Sequence, residues 1–270
     1  MTKSTSLTVN RDGLAIAGEH WPGVGPVVAF LHAGVTDRRS WAEVVPHLTQ
    51  DLSPVTYDRR GFGQTPVSSA PFSHVDDLLA VLATITDKPA WVVGSSMGGG
   101  LAIDAALTAP DLIAGLVLIA PAVSGAPEPE LDPDTLRIDG LLDEAMAGGS
   151  LQDVNRLETW LWLDGPGQPE GRVRGAVRSL ALEMNEIILR NDVPEDAGTR
   201  DSGAWSRIDD VRVPVTVACG DLDVPFLVER SRELAERLPF GRFVELRGVA
   251  HLPQLESPDE VASLVLAACA

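Results

Sequence analysis

The feature that most constrains the fold of this chain is a serine flanked by glycines near residue 96. An apolar run, Ala90–Val93, is typical of a strand buried inside a sheet, and the pentapeptide Gly-Ser-Ser-Met-Gly at residues 94–98 follows it at once. From Leu101 onward the chain is apolar at helical spacing. The pattern Gly-x-Ser-x-Gly therefore stands at a predicted tight turn between a strand and a helix.

A turn of this kind, called a nucleophile elbow, holds its central serine on a strained backbone and exposes the hydroxyl. Gly94 and Gly98 have no Cβ, so the strand and the helix can approach each other closely. The central serine is Ser96, because a pattern centred on Ser95 needs a glycine at position 93, where the chain has valine. We therefore predict Ser96 as a nucleophile; the alternative is a glycine-rich loop with an incidental serine.

Strand-like and helix-like patterns alternate along most of the chain. The Asp-Gly pair at residues 12–13 predicts a hairpin, and apolar runs then alternate with helical periodicity up to residue 121 and again from Val215. Ser40 is predicted to cap one of these helices, which ends at about Leu48. These patterns predict an α/β fold with a mostly parallel central sheet and helices on both faces. Ligands of such sheets bind at the carboxyl ends of the strands.

The strand signal disappears between the two alternating regions. We interpret residues 122–207 as a helical cap inserted into a core that is formed by residues 1–121 and 208–270. The helical patterns of this insertion lie at Leu136–Ala147, Leu151–Leu163 and Arg172–Leu189.

Three tryptophans, Trp160, Trp162 and Trp205, belong to the predicted insertion. Large aromatic side chains contribute most to packing, so we expect these residues to fix the insertion to the core. The alternative is that they form a wall of an apolar pocket.

The chain carries a formal net charge of −18, from 21 Lys and Arg against 39 Asp and Glu. Nucleic-acid binding needs a basic surface, and an anionic membrane would repel this charge, so we predict neither partner. Residues 1–8 lack the apolar core of a signal peptide, and no apolar run approaches the roughly 20 residues of a membrane span. Two distant cysteines, Cys219 and Cys269, do not make a disulfide framework. We therefore expect a cytoplasmic protein.

A serine hydroxyl becomes an effective nucleophile when a base takes its proton and a third group orients that base. Of the five histidines, His32 and His251 alone follow predicted strands at the carboxyl edge. His32 is expected to brace its loop, whereas His251 lies beyond the last strand and can reach across the strand ends. Asp221 and Asp223 both follow the strand Val215–Cys219 and qualify as the orienting acid; for each, the alternative is a solvated turn residue.

These residues lie in five motifs that occur in order along the chain. In one-letter code they are LHAG at 31–34, DRRG at 58–61, GSSMG at 94–98, GDLDVP at 220–225 and AHLPQLE at 250–256. With them the chain resembles the α/β-hydrolase superfamily over about residues 7–268, and serine, aspartate, histidine is the order of that family. The resemblance implies that Asp223, and not Asp221, is the acid and that His251 is the base.

The resemblance also implies two backbone N–H groups that hold an oxyanion, those of Met97 and Gly34. The family usually has glycine directly after the loop histidine, where this chain has Ala33, so Val35 is an alternative to Gly34 as a donor. Each such donor would stabilise a tetrahedral oxyanion by about 3 kcal/mol.

The residues and the resemblance together predict a serine hydrolase that cleaves a small carboxylic ester or lactone through an acyl-enzyme on Ser96. The alternatives are perhydrolysis, acyl transfer or C–C bond hydrolysis by the same triad, and a non-catalytic small-molecule receptor on the same fold. Segments of the chain are also similar to 3-oxoadipate enol-lactonases, small carboxylesterases and cofactor-free perhydrolases. Metal-ligand spacing and a phosphate loop are missing from the sequence, so we expect neither a metal nor another cofactor. The sequence does not predict the oligomeric state.

Overall fold

The computed structural model of the chain describes residues 3–68, 70–191, 197–198 and 202–270. Parts of the predicted insertion, at 192–196 and 199–201, lie outside the described residues, as do residues 1, 2 and 69 of the predicted core. Within the described part, no helix has the length and the apolar character needed to cross a membrane.

The described residues form one sheet of eight strands. The strands are β1 (Thr5–Arg11), β2 (Leu14–His20), β3 (Val27–Leu31), β4 (Ser53–Tyr57), β5 (Ala90–Ser95), β6 (Ile113–Ile119), β7 (Val215–Gly220) and β8 (Gly241–Leu246). Their order across the sheet is β1-β2-β4-β3-β5-β6-β7-β8. The strands β3 to β8 run parallel to one another, whereas β2 is antiparallel to both β1 and β4. This confirms the predicted mostly parallel sheet.

The first two strands form the predicted hairpin. Its turn residues, Asp12 and Gly13, have φ angles of 52° and 79°. A two-residue turn of type I′ needs a positive φ at both positions, which glycine adopts freely and aspartate adopts more readily than most residues. The Asp-Gly pair therefore sets the register between β1 and β2.

Helices cover both faces of the sheet. The helices are α1 (His74–Ile85), α2 (Met97–Thr108), α3 (Pro133–Ala147), α4 (Leu151–Thr159), α5 (Ala176–Asn191), α6 (Pro225–Arg237), α7 (Pro253–Glu256) and α8 (Pro258–Cys269). Successive residues of a strand point to opposite faces. In β3, Ala29 and Leu31 accordingly enter a core that α1, α2 and α6 complete, whereas Val28 and Phe30 enter a second core that α8 completes. Burial on both faces explains why β3 reads as a continuous apolar run.

The prediction of a helix that begins at Ser40 is wrong. The chain there forms two short 3₁₀ helices, Arg38–Trp41 and Val45–His47. Asp37 caps the first of them, since its carboxylate accepts a hydrogen bond from the N–H of Arg39, and Ser40 lies inside that turn. Pro46 has no N–H to donate to the preceding turn, so a continuous α-helix through this segment would lack a hydrogen bond.

The three helices predicted between β6 and β7 are confirmed as α3, α4 and α5. The chain continues from α4 into a π-helical turn, Trp160–Asp164, before it leaves the helix. Ile138 and Leu157 of these helices share a buried apolar cluster with Cys219 at the end of β7 and Val224 just beyond it. The inserted helices therefore pack against the carboxyl edge of the sheet.

Candidate active site

Ser96 stands between the last residue of β5 and the first residue of α2, with φ 53° and ψ −116°. Holding a residue other than glycine in such a conformation costs about 1–3 kcal/mol of folding free energy, and interactions of the surrounding backbone offset that cost. The N–H of Ser96 donates to the carbonyl of Ile119 at 2.8 Å, and its carbonyl accepts from Gly99 at 2.8 Å. Among the described residues the Ser96 hydroxyl has no hydrogen-bond partner, and the side chain is half-buried.

The glycines on either side of Ser96 are required by close contacts between backbone segments. A Cβ on Gly94 would lie 2.2 Å from the carbonyl oxygen of Gly98, and a Cβ on Gly98 would lie 2.4 Å from that of Leu31. Both distances are far inside van der Waals contact. The neighbouring Ser95, by contrast, is fully buried, and its hydroxyl lies 3.4 Å from the side-chain amide of Gln254.

His251 and Asp223, both buried, form a hydrogen-bonded pair. Nδ1 of the imidazole lies 2.8 Å from Oδ2 of the carboxylate, whose Oδ1 accepts from the N–H of Val224 at 2.7 Å. A proton on Nδ1 leaves the lone pair of Nε2 free in the neutral ring. The carboxylate of Asp221 is exposed and, within the described part of the chain, accepts only from the N–H of Gly248, so the two aspartates have different surroundings.

The candidate residues lie beyond the carboxyl ends of β5, β7 and β8, which together with β6 are four consecutive strands of the sheet. Ser96 follows β5 and is hydrogen-bonded to Ile119 at the end of β6, and the residue after β6 is in turn bonded to β7, which Asp223 follows. His251 lies in the loop after β8 and is joined to Asp223. Although all three side chains are in the described part of the chain, no hydrogen bond joins His251 to Ser96 in this structure. The geometry leaves Nε2 and the serine hydroxyl both available.

The loop after β3 is held by the carbonyl oxygen of Ala33. This oxygen accepts from Nδ1 of His32 at 2.9 Å and from Nη2 of Arg59 at 3.0 Å, while the N–H of Ala33 donates to the hydroxyl of Thr36 at 3.1 Å. Neither Ala33 nor Gly34 has a positive φ. Alanine therefore stands at position 33 without backbone strain.

Three backbone N–H groups have no acceptor among the described residues: those of Gly34 and Val35 in this loop and that of Met97 at the start of α2. A Cβ on Gly34 would lie 3.5 Å from Cε of Met97, so the loop after β3 and the start of α2 are neighbours. Unpaired N–H groups at a helix start and an adjacent loop can bind an anion. Gly34 and Val35 both stay candidates for the donor opposite Met97.

His32 braces the loop, as predicted. Its ring is fully buried, and Nε2 accepts from the backbone N–H of Arg59 at 3.1 Å. The proton of the neutral ring is then on Nδ1, which donates to Ala33. Burial holds the pKa of His32 well below its usual range, so the ring is neutral near pH 7.

Arg59 is a buried cation that the sequence argument did not single out. Its guanidinium donates to the carbonyls of His32 and Ala33, contacts Sδ of Met97 and lies 4.4 Å from the ring centre of Phe62. No carboxylate of the described residues pairs with it, and burial lowers its pKa to about 10. Its place two residues after the end of β4, within the motif DRRG at residues 58–61, was the available signal.

Of the three tryptophans, two pack against other side chains and one is a wall of a pocket. Trp205 is part of the core, and Trp160 lies under the guanidinium of Arg137. Trp162 instead lies 4.7 Å from the imidazole of His251, ring centre to ring centre. It is a wall of a narrow cleft of about 10 Å³, which has room for about one water molecule. The cleft is lined by Val35, Glu158, Thr159, Trp162, Leu163, Ala181, Asn185 and Leu252.

Two further observations concern other places where a ligand or a metal could bind. A wider surface cleft, between residues 24–27 and 83–89, lies at the opposite edge of the sheet, where β3 and β5 begin. Within the part of the chain that the structure describes, no group of three or more His, Cys, Asp or Glu side chains is arranged to hold a metal ion.

Comparison with known proteins agrees with this fold. A putative 2-succinyl-6-hydroxy-2,4-cyclohexadiene-1-carboxylate synthase of Bacillus subtilis is 25% identical over 261 residues, 94% of each chain. Probable esterase D14L of Oryza sativa subsp. japonica is 28% identical over 272 residues, 94% of this chain and 93% of the relative. A bromoperoxidase from Bacillus anthracis has a similar crystal structure, with a TM-score of 0.77 and 19% identity over 97% of this chain and 99% of that one. The model of the alpha/beta hydrolase family matches residues 28–264, so this chain belongs to that family.

Proposed function

We propose that the protein is a serine hydrolase that cleaves small carboxylic esters or lactones through an acyl-enzyme on Ser96. The observation that carries this proposal is the hydroxyl of the half-buried Ser96, which has no hydrogen-bond partner among the described residues. It stands on a positive-φ turn at the same sheet edge as the hydrogen-bonded His251 and Asp223. A nucleophile, a base and an orienting acid are the three parts that acyl transfer needs.

In the first half-reaction, Nε2 of His251 accepts the proton of the Ser96 hydroxyl while Oγ bonds to the carbonyl carbon of the ester. The N–H groups of Met97 and of Gly34 or Val35 donate to the resulting oxyanion. Asp223 stabilises the protonated imidazole. When the carbonyl re-forms, the C–O bond to the alcohol breaks and Nε2 gives its proton to the leaving oxygen.

In the second half-reaction, His251 takes a proton from water, whose oxygen bonds to the acyl carbon. Collapse of this second tetrahedral intermediate breaks the bond to Ser96, which recovers its proton from Nε2, and releases the acid. With a lactone, the alcohol stays attached to the acyl group throughout. The inserted helices act as a cap over the site, and Trp162, packed on the imidazole, is the wall that limits access of water.

The proposal is tested with Ser96→Ala and a fluorophosphonate probe. We expect hydrolysis of p-nitrophenyl acetate to fall by at least about 10³-fold in the variant, with unchanged circular dichroism, and the probe to label Ser96 of the natural protein. Ser95→Ala is the matched control, because that hydroxyl is buried, and it should keep the activity. Full activity in Ser96→Ala, or no labelling of the folded protein, would overturn the proposal, and the second result would favour a receptor.

A further inference from the structure

Arg172 joins the inserted segment to the loop after β8, which carries His251. Nη1 of Arg172 donates to the carbonyl of Gly248 at 3.3 Å, and Nη2 donates to Oε2 of Glu256. Oε1 of Glu256 in turn accepts from the N–H of Ala250 at 2.7 Å. The guanidinium therefore holds the backbone that precedes His251 at two points, one directly and one through a carboxylate.

The same guanidinium holds the turn that carries Trp162. Nη2 of Arg172 donates to the carbonyl of Leu163 and Nε donates to that of Asp164, both at 2.8 Å. These two residues directly follow Trp162, whose ring centre lies 4.7 Å from that of His251. One side chain therefore holds both the backbone before the imidazole and the aromatic ring that packs on it.

The carboxylate of Asp164 fixes the direction of Arg172. It is fully buried and accepts from the N–H of Gly171 at 2.8 Å and from that of Val173 at 2.9 Å, the residues on either side of Arg172. Arg178 donates to the same carboxylate at 2.6 Å and balances its charge. Because the backbone on both sides of Arg172 is held, the guanidinium loses less conformational freedom when its own hydrogen bonds form.

The inserted segment also touches the loops of the base and the acid directly, at Gly165. A Cβ on Gly165 would lie 2.2 Å from the carbonyl oxygen of Leu222 and 3.4 Å from Cβ of Ala250. Leu222 precedes Asp223, and Ala250 precedes His251. Close packing transmits a shift of the inserted turn to both members of this hydrogen-bonded pair.

We propose that Arg172 is a positioning residue for the base of the reaction, because it fixes the loop after β8 and the ring of Trp162 together and so gives the imidazole of His251 one orientation. A displacement of about 1 Å in a catalytic arrangement can cost about 10²-fold in rate. This inference rests on the proposed function for the role of His251 as the base.

Arg172→Met removes the four hydrogen bonds of the guanidinium. With p-nitrophenyl acetate we expect kcat to fall about tenfold and KM to stay within about twofold, because the base is less often in place while a small substrate keeps its contacts. Arg156→Met is the matched control: this arginine of the insertion pairs with Glu170 at the surface, at 2.7 Å, and its loss should leave kcat within about twofold. An unchanged kcat in Arg172→Met overturns the proposal.

Arg172→Lys separates positioning from stability. Arg172→Met leaves the carboxylate of Glu256, which is 4% exposed, without its cation, and this destabilises the fold. Lysine keeps the charge, but an ammonium lacks the planar fork that reaches three carbonyls and a carboxylate at once. We expect a urea midpoint close to that of the natural protein and a kcat that is still reduced at least about threefold. Full kcat in the lysine variant overturns the positioning role.

Proton NMR gives a readout that needs no turnover. A proton held between Nδ1 of His251 and Oδ2 of Asp223 gives a separate downfield signal, which His251→Ala assigns by its loss. We expect this signal in the natural protein and in Arg156→Met. In Arg172→Lys it should be broadened or lost at the same pH and temperature, because a mobile ring exposes the proton to exchange with water. Its absence from the natural protein, or an equally sharp signal in the lysine variant, overturns the proposal.

The outcomes for Arg172 and for the proposed function are separable. Hydrolysis of p-nitrophenyl acetate that depends on Ser96, together with unchanged kcat and an unchanged NMR signal in Arg172→Lys, overturns the positioning role alone. An NMR signal that depends on Arg172, in a protein that does not hydrolyse the ester, overturns the hydrolase proposal and supports Arg172 as the residue that fixes the imidazole.

Discussion

Nδ1 of His251 lies 2.8 Å from Oδ2 of Asp223, and both side chains are buried. This contact selects the ring nitrogen that carries the proton and leaves the lone pair of Nε2 free for the proposed role as a base. Asp223 is itself oriented by the N–H of Val224, which donates to Oδ1 at 2.7 Å. The backbone after β7 therefore sets the tautomer of the imidazole.

Asp223→Asn should reverse that tautomer. The asparagine oxygen would keep the bond from Val224, so the NH₂ group would face His251 and Nδ1 would have to accept. Nε2 would then carry the proton and could not act as a base. We expect kcat to fall about 10³–10⁴-fold, measured with p-nitrophenyl acetate. Asp221→Asn, at an exposed carboxylate, should stay within about twofold; equal losses in the two variants would contradict the assignment.

Gly98→Ala should destabilise the fold. Its Cβ would lie 2.4 Å from the carbonyl oxygen of Leu31 and 2.8 Å from that of His32, and backbone atoms of a central strand cannot move aside cheaply. Overpacking of this kind costs about 1–3 kcal/mol, which urea denaturation measures as a lower midpoint. The matched control is Gly140→Ala in α3, where a Cβ meets nothing within 4 Å. That change should raise the free energy of unfolding by about 0.5–1 kcal/mol; a stable Gly98→Ala protein would show that the contact is not tight.

The sequence predicts the parts of this site whose physical cause is local. Gly94 and Gly98 are recognisable because the steric demand of the turn falls on the motif itself. The Ser40 cap failed because Asp37, three residues earlier, was an equally good acceptor, and sequence patterns do not decide between them. The partners of Arg59, which are His32, Ala33 and Met97, lie 26 to 38 residues away along the chain, so the role of Arg59 depends on how the elements pack.

Unfolding should become easier in acid because of His74. Burial, and then the charges of Arg59 and Arg60, lower the pKa of this residue to about 3. The unfolded chain binds a proton at His74 below about pH 6.5, whereas the folded chain does not, so stability is present above that pH and is lost as the pH falls towards 3. The loss approaches about 1.4 kcal/mol per pH unit for one histidine.

The measurement is urea denaturation at several pH values between 7.5 and 4.5, for the natural protein and for His74→Gln. Buried carboxyls with raised pKa values, such as Glu256, act in the opposite direction but are present in both proteins. The two proteins therefore differ in the slope of the free energy of unfolding against pH only through His74. In the variant this slope should correspond to about one proton fewer taken up on unfolding. Parallel pH profiles would contradict the burial of a neutral imidazole.

Arg59 should control the rate of the proposed reaction through the loop after β3. In a trans peptide the C=O and N–H groups point in opposite directions. Because Arg59 donates to the carbonyl of Ala33 at 3.0 Å, it fixes the direction in which the N–H of Gly34 points. Arg59→Met removes this bond and the cation at similar volume, and we expect kcat to fall about tenfold with little change in KM, as for a loosened oxyanion donor.

Arg59→Lys separates geometry from charge. An ammonium keeps the charge but cannot hold both carbonyls with the planar fork of a guanidinium, so we expect it to restore at most part of kcat. Full recovery in the lysine variant would assign the effect to the buried charge instead. An Arg59→Met protein with unchanged kcat and an unchanged free energy of unfolding would exclude both roles, because the same side chain also fixes the carbonyl of His32.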